Sequence, residues 1–131
     1  MRKILFLSLL FAATMLSAQS PVELPLWPDG APNTNGLTGE QEDLKGGRGY
    51  ARLAMNHEGH DMAAWFTTQG ITYAVLKYRM PNGHNEVPLS DAEQAIRLVR
   101  KHAGEWGVNP NRIGIMGASA GGHLAASLAT L

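Results

Sequence analysis

Ser119 lies in Gly117-Ala118-Ser119-Ala120-Gly121, a G-x-S-x-G pattern. A serine hydroxyl is a nucleophile for acyl transfer once a neighbouring base removes its proton. Arg112-Ile113-Gly114-Ile115-Met116 runs into the pattern as a short apolar strand. Gly122-His123-Leu124-Ala125-Ala126-Ser127-Leu128-Ala129 runs out of it as a small-residue helix. Strand, tight turn and helix in that order are the context of a nucleophile elbow. The flanking glycines have a physical reason, because a strained turn brings strand and helix backbones close together. The helix that follows aims its N-terminal N–H groups at the turn, where a developing oxyanion is stabilised. The plain alternative is a small-residue turn whose serine only caps the helix.

The elements that must position Ser119 come from a chain of 131 residues, a length of about one domain. Eleven basic and eleven acidic residues balance, which gives no electrostatic argument for nucleic acid or an anionic membrane. The absence of cysteine excludes disulfides, cysteine metal sites and a lipid-anchored cysteine. Residues 1–20 read as a secretory signal peptide: Met1-Arg2-Lys3, an apolar run from Ile4 to Leu16, and small residues at Ala18 and Ser20. The run is short for a membrane span. The expected location is therefore secreted or periplasmic, with no stable membrane partner.

Residues 21–45 form an N-terminal arm. Leu24-Pro25-Leu26-Trp27-Pro28-Asp29-Gly30-Ala31-Pro32-Asn33 is too rich in proline for a helix or a central strand. The arm is expected to lie on the surface, pinned by Trp27, whose alternative role is sugar contact. The domain proper is expected over 46–131. It opens on Gly46-Gly47-Arg48-Gly49-Tyr50, read either as an oxyanion loop or as a linker. A helix is expected over about 60–69, ended by Gly70. His57 and His60 near its start read as surface or capping residues, or as two metal ligands lacking further partners. No metal or cofactor is assigned.

Ile71-Thr72-Tyr73-Ala74-Val75-Leu76-Lys77-Tyr78 is β-branched and aromatic, the pattern of a buried parallel strand. Residues 79–83 end it in a turn, and His84 to Leu89 reads as a loop. Ser90-Asp91-Ala92-Glu93 predicts a capping box opening the next helix. That helix places Ala92, Ala95, Ile96, Val99 and Ala103 on one face and Arg97, Arg100 and Lys101 mostly on the other, with Gly104 as its stop. Asn109-Pro110-Asn111 is a turn before the strand into Ser119. Helices alternating with strands imply an α/β fold with a parallel sheet and helices on both faces, ligands binding at the carboxyl ends of the strands.

These residues resemble the α/β-hydrolase superfamily, and more closely its secreted carbohydrate acetyl-esterase and acetylxylan-esterase-like group. The stretch from Asn109-Pro110-Asn111-Arg112-Ile113-Gly114 through Gly117-Ala118-Ser119-Ala120-Gly121-Gly122-His123-Leu124-Ala125 carries the most specific likeness. Lys77-Tyr78-Arg79-Met80-Pro81, Asp91-Ala92 with Arg97-Leu98-Val99-Arg100, and Leu26-Trp27-Pro28-Asp29-Gly30-Ala31-Pro32 extend it. The resemblance implies Ser119 as catalytic nucleophile and the Ala120 N–H as one oxyanion donor. It sets Gly47-Arg48-Gly49-Tyr50 where the group has its glycine-rich loop, so that the Arg48 and Gly49 N–H groups supply the other. It implies deacetylation of a polysaccharide such as xylan through an acyl-enzyme, without a cofactor. The runner-up is a peptidase or lipase on the same fold.

Two departures from that group stand out. No strand-like run precedes the glycine cluster in Asn33 to Gly49, as if residues were deleted there. The triad order in this fold is Ser, Asp or Glu, then His, yet the twelve residues after Ser119 contain no acidic residue and only His123. His123 lies one turn along the helix, where its ring projects from the helix side instead of over Ser119. His57, His60 and His84 are the other candidate bases. The chain therefore reads as a partial α/β-hydrolase fold, incomplete at the C-terminus, with an inactive truncated remnant as the alternative. A parallel sheet left open on one side predicts poor folding or aggregation.

Overall fold

The computed structural model describes residues 21–34, 36 and 53–130. The leader at 1–20 and the glycine cluster at 46–50 lie outside them. After a single π-helical turn, Asn56–His60, helix α1 spans Asp61–Thr68. Helix α2 spans Glu86–Lys101 and helix α3 spans Ala120–Ala129. Helix α1 agrees with the expectation over 60–69. Gly70 ends it at φ +70°, with the Ile71 N–H donating to the Phe66 carbonyl at 3.1 Å. None of the helices is long and apolar enough to cross a membrane among the described residues.

The start of α2 corrects the sequence expectation. The helix opens at Glu86, inside the stretch read as a loop, and Asn85 stands at its N-cap without a side-chain cap bond. Pro88 falls in the first turn, where a backbone N–H has no intrahelical acceptor, so the proline costs little. Ser90 is consequently interior, and its hydroxyl donates back to the Val87 carbonyl at 2.8 Å. Glu93 does not reach back either; it pairs with Arg97 one turn on, at 3.0 Å. The capping box is therefore absent. The apolar face is as expected: Ala92 is buried, Ala95, Ile96 and Val99 are half-buried, and Arg97, Arg100 and Lys101 face solvent.

The stop after α2 is also corrected. The helix ends at Lys101 with His102 as its C-cap, ahead of Gly104. Gly104 does not take positive φ, whereas Gly107 does, at φ +66°, in the turn that follows, which the Val108 N–H closes on the Ala103 carbonyl at 2.8 Å. Gly107→Ala is expected to cost about 1 kcal/mol in urea denaturation, because a Cβ disfavours positive φ. Gly104→Ala is expected to be nearly neutral, since nothing lies within 4 Å of its would-be Cβ.

The parallel sheet is not present among the described residues. Residues 71–80 and 113–117 carry neither helix nor ladder pairing. A strand exists only through a partner's hydrogen bonds, and these two runs do not pair with each other. Ile71, Ile115 and Met116 accordingly stay exposed, at 47%, 40% and 58%. Among the described residues the buried apolar side chains include Met80, Val87, Pro88, Ala92, Ala103 and Leu124, of which Val87, Pro88 and Ala92 lie on α2 and Leu124 on α3, which packs against it.

The arm is mostly exposed and is held by side chains. The Trp27 indole donates to the wholly buried Asp91 carboxylate at 2.7 Å, so Trp27 pins the arm as expected. Gln94 donates to the Leu26 carbonyl at 3.4 Å. Asn33 bonds Ser90 and accepts from Arg79.

Candidate active site

The run Ile113–Met116 ends on Gly117, and α3 begins three residues later. A Cβ built on Gly117 would stand 2.3 Å from the Gly121 carbonyl carbon and 2.4 Å from its oxygen. One built on Gly122 would stand 3.0 Å from the Gly117 oxygen. The two backbones thus cross with no room for a side chain. Between them Ser119 adopts φ 48°, ψ −116°. Apart from Asn82 in the Pro81–His84 turn, it is the sole non-glycine residue with positive φ among those described. Such a conformation costs about 1–3 kcal/mol and survives only where the surroundings impose it.

Ser119 occupies the N-cap position of α3 but makes no side-chain cap bond. The capping alternative therefore fails, and the hydroxyl is left exposed at the tip of the turn. The turn is held by backbone alone: the Gly121 N–H donates to the Ala118 carbonyl at 2.8 Å and the His123 N–H to the Ser119 carbonyl at 3.0 Å. Ala120 is the first residue of α3, so its N–H has no acceptor within the helix. A bound oxyanion next to Ser119 is a natural acceptor for such a group. Arg48 and Gly49 lie outside the described residues.

Three of the described histidines stand beside carboxylates near them in sequence. His57 lies 3.8 Å from Glu58, His84 lies 3.3 Å from Glu86, and His102 lies 2.9 Å from Glu105. His57 and His60 are both exposed, in the π-helical turn ahead of α1. His123 is exposed on α3 and lines a cavity of about 210 Å³ with Pro88 and Leu89 of α2 and with Leu124. A second groove, of about 310 Å³, runs between α2, residues 113–115 and the end of α3. Ser119 lines neither. Among the described residues no group of three or more His, Cys, Asp or Glu is arranged to hold a metal.

Asp91 is the residue that sequence reasoning misplaced. Both carboxylate oxygens are occupied: Oδ1 accepts from the Trp27 indole and from an Arg79 guanidinium nitrogen at 2.6 Å. Oδ2 accepts from the Arg79 backbone N–H at 2.8 Å and from Arg79 Nε at 3.0 Å. The signal was present in the sequence. Asp91 shares a helical face with Ala95 and Leu98, and a lone charge on an apolar face implies a buried partner.

Comparison with known proteins gives the family. The BD-FAE family model matches residues 47–131. The chain is 47% identical over 85 residues to an acetylxylan esterase of Xylanibacter ruminicola, a match covering 65% of this chain and 18% of that protein. It is 36% identical over 87 residues to endo-1,4-beta-xylanase B of Butyrivibrio fibrisolvens, covering 63% and 14%. It is 42% identical over 59 residues to a probable isoprenylcysteine alpha-carbonyl methylesterase of Oryza sativa subsp. japonica, covering 44% and 14%. The matches thus span less than a fifth of the length of these relatives. No solved structure matches significantly. With a family match over most of the chain, carrying the glycine-flanked serine turn within it, the protein belongs to the BD-FAE esterase family.

Proposed function

We propose that the protein is a serine ester hydrolase that removes acetyl groups from a polysaccharide such as xylan, with Ser119 as its nucleophile. The observation that carries this reading is the strained Ser119 backbone, held at the Gly117–Gly121 crossing with its hydroxyl exposed. Ser119 Oγ attacks the acetyl carbonyl carbon while a base takes its proton. The tetrahedral oxyanion accepts hydrogen bonds from the Ala120 N–H and from the Arg48 or Gly49 N–H. The sugar oxygen leaves with a proton, and water then hydrolyses the acetyl-serine to acetate and free enzyme. None of these steps calls for a metal or cofactor.

The acetylated carbohydrate is supported by the names of two relatives, an acetylxylan esterase and a xylanase. The methylesterase relative supports ester chemistry but a different acyl group. A polymeric substrate does not enter a cell, which accords with the leader read at residues 1–20 and supports a secreted or periplasmic location. The balanced charge favours a neutral substrate over nucleic acid.

The test is acetate release from acetylated xylan by the protein expressed from its whole reading frame, beside long-chain esters and peptides. Ser119→Ala is expected to lower release by about 10⁴-fold. Undiminished release in that variant would remove Ser119 from the mechanism. Preferential cleavage of long-chain esters or peptides would replace the substrate class, and no ester cleavage at all would favour the inactive reading.

A further inference from the structure

The arm lies outside the residues matched to the family, yet it completes the coordination of a buried charge inside them. Asp91 is wholly buried, and its donors come from the arm (Trp27) and from Arg79 at the end of the run 71–79. Arg79 in turn donates to the Asn33 backbone carbonyl at 2.8 Å and side-chain carbonyl at 3.0 Å, which ties the arm a second time. Two separate stretches of chain therefore converge on one carboxylate of a third, α2. A buried ion pair that loses one member leaves an uncompensated charge, so such a convergence holds its parts in one arrangement.

The same helix packs against α3, the helix that leaves the serine turn. One turn before Asp91, Pro88 and Leu89 of α2 line the small cavity whose other wall is His123 and Leu124 of α3. Leu124 in that wall is buried. Helix α3 starts directly after Ser119, and the Ala120 N–H is the first in it. A displacement of the first turns of α2 is thus passed to the helix that carries the serine and one oxyanion donor.

We propose that Asp91 is a positioning residue for Ser119. By drawing Trp27 and Arg79 onto α2, it fixes the helix against which the elbow helix is seated. The arm is then a working part of the hydrolase unit and not a tether between leader and domain. The catalytic consequence rests on Ser119 being the nucleophile; the mechanical one does not.

Two variants of the full chain test this: Asp91→Asn, which keeps the shape but weakens the clamp, and Trp27→Phe, which removes only the indole donor. Amide hydrogen exchange is followed in peptides covering 21–34, 61–68, 86–101 and 118–129, together with acetyl-ester turnover. Faster exchange is expected in 21–34 and in 118–129, with 61–68 unchanged. A fall in kcat of about 10-fold or more is expected for Asp91→Asn, smaller for Trp27→Phe, with KM unchanged in Asp91→Asn because Asp91 is wholly buried and out of reach of substrate. Exchange that rises in the arm alone, or an unchanged kcat with the arm released, would overturn the proposal. If Asp91→Asn unfolds globally, Trp27→Phe decides by the same readouts. If the wild type shows no Ser119-dependent turnover, the nucleophile reading fails, and exchange at 118–129 still decides the clamp.

Discussion

Gly117→Ala is expected to destroy turnover and to destabilise the fold by about 3 kcal/mol, more than an ordinary glycine substitution. The new methyl would stand 2.3 Å from the Gly121 carbonyl carbon and 2.8 Å from the Gly122 nitrogen. Those are backbone atoms in the first turn of α3, and no rotamer change moves them aside. Relief requires the whole helix start to back away from the end of the 113–117 run. That motion carries Ser119 and the Ala120 N–H out of register, and displacement of about 1 Å costs on the order of 10²-fold in rate. Gly114→Ala is the matched control, since nothing lies within 4 Å of its would-be Cβ. Urea denaturation and acetate release on both variants check the prediction. Equal effects at the two positions would mean that the crossing is not what holds the turn.

Ser119→Gly is expected to move stability and activity in opposite directions. Glycine adopts φ 48°, ψ −116° without the Cβ penalty that serine bears there. Part of that relief is offset by the greater freedom of glycine in the unfolded chain, leaving a net gain of about 1 kcal/mol. With Ser119 as the proposed nucleophile, loss of the hydroxyl is expected to lower acetate release by about 10⁴-fold. Ser119→Ala separates the two effects. It loses the hydroxyl and retains the strain, so it matches the glycine variant in turnover and the wild type in stability. A less stable Ser119→Gly would show that the serine side chain supports the fold, which the absence of any side-chain cap bond argues against.

The glycine-flanked serine turn was legible because its information is local. Gly117, Ser119, Gly121 and Gly122 fall within six residues, and the need for small residues at a close backbone crossing is satisfied by neighbours in sequence. The same holds for Gly70 and for the apolar face of α2, which follow from turn chemistry and helical periodicity. The start of α2 was misread for an equally local reason. Ser90 and Glu93 have the spacing of a capping box, but Pro88 is tolerated in a first turn and lets the helix begin earlier. Ser90 then spends its hydroxyl on Val87 and the arm. Gly104 does not mark the stop because α2 ends at Lys101, with His102 as its C-cap, without a positive-φ glycine, and that conformation falls to Gly107 in the turn beyond.

By itself, then, the sequence determined the serine turn, the helix that leaves it, and the ester-hydrolase resemblance that the family match upholds. Tertiary structure alone decided that Ser119 is strained and uncapped, and that Asp91 is the point where arm, Arg79 and α2 meet. The reason is separation along the chain. Trp27 and Asp91 are 64 positions apart, and Arg79 and Asn33 are 46. No periodicity or spacing rule reaches that far, because such contacts are selected by burial and charge pairing in the folded state and not by neighbours in sequence. The extended runs 71–80 and 113–117 show the complementary limit: their composition favours strands, but a strand is completed only by the partner that pairs with it.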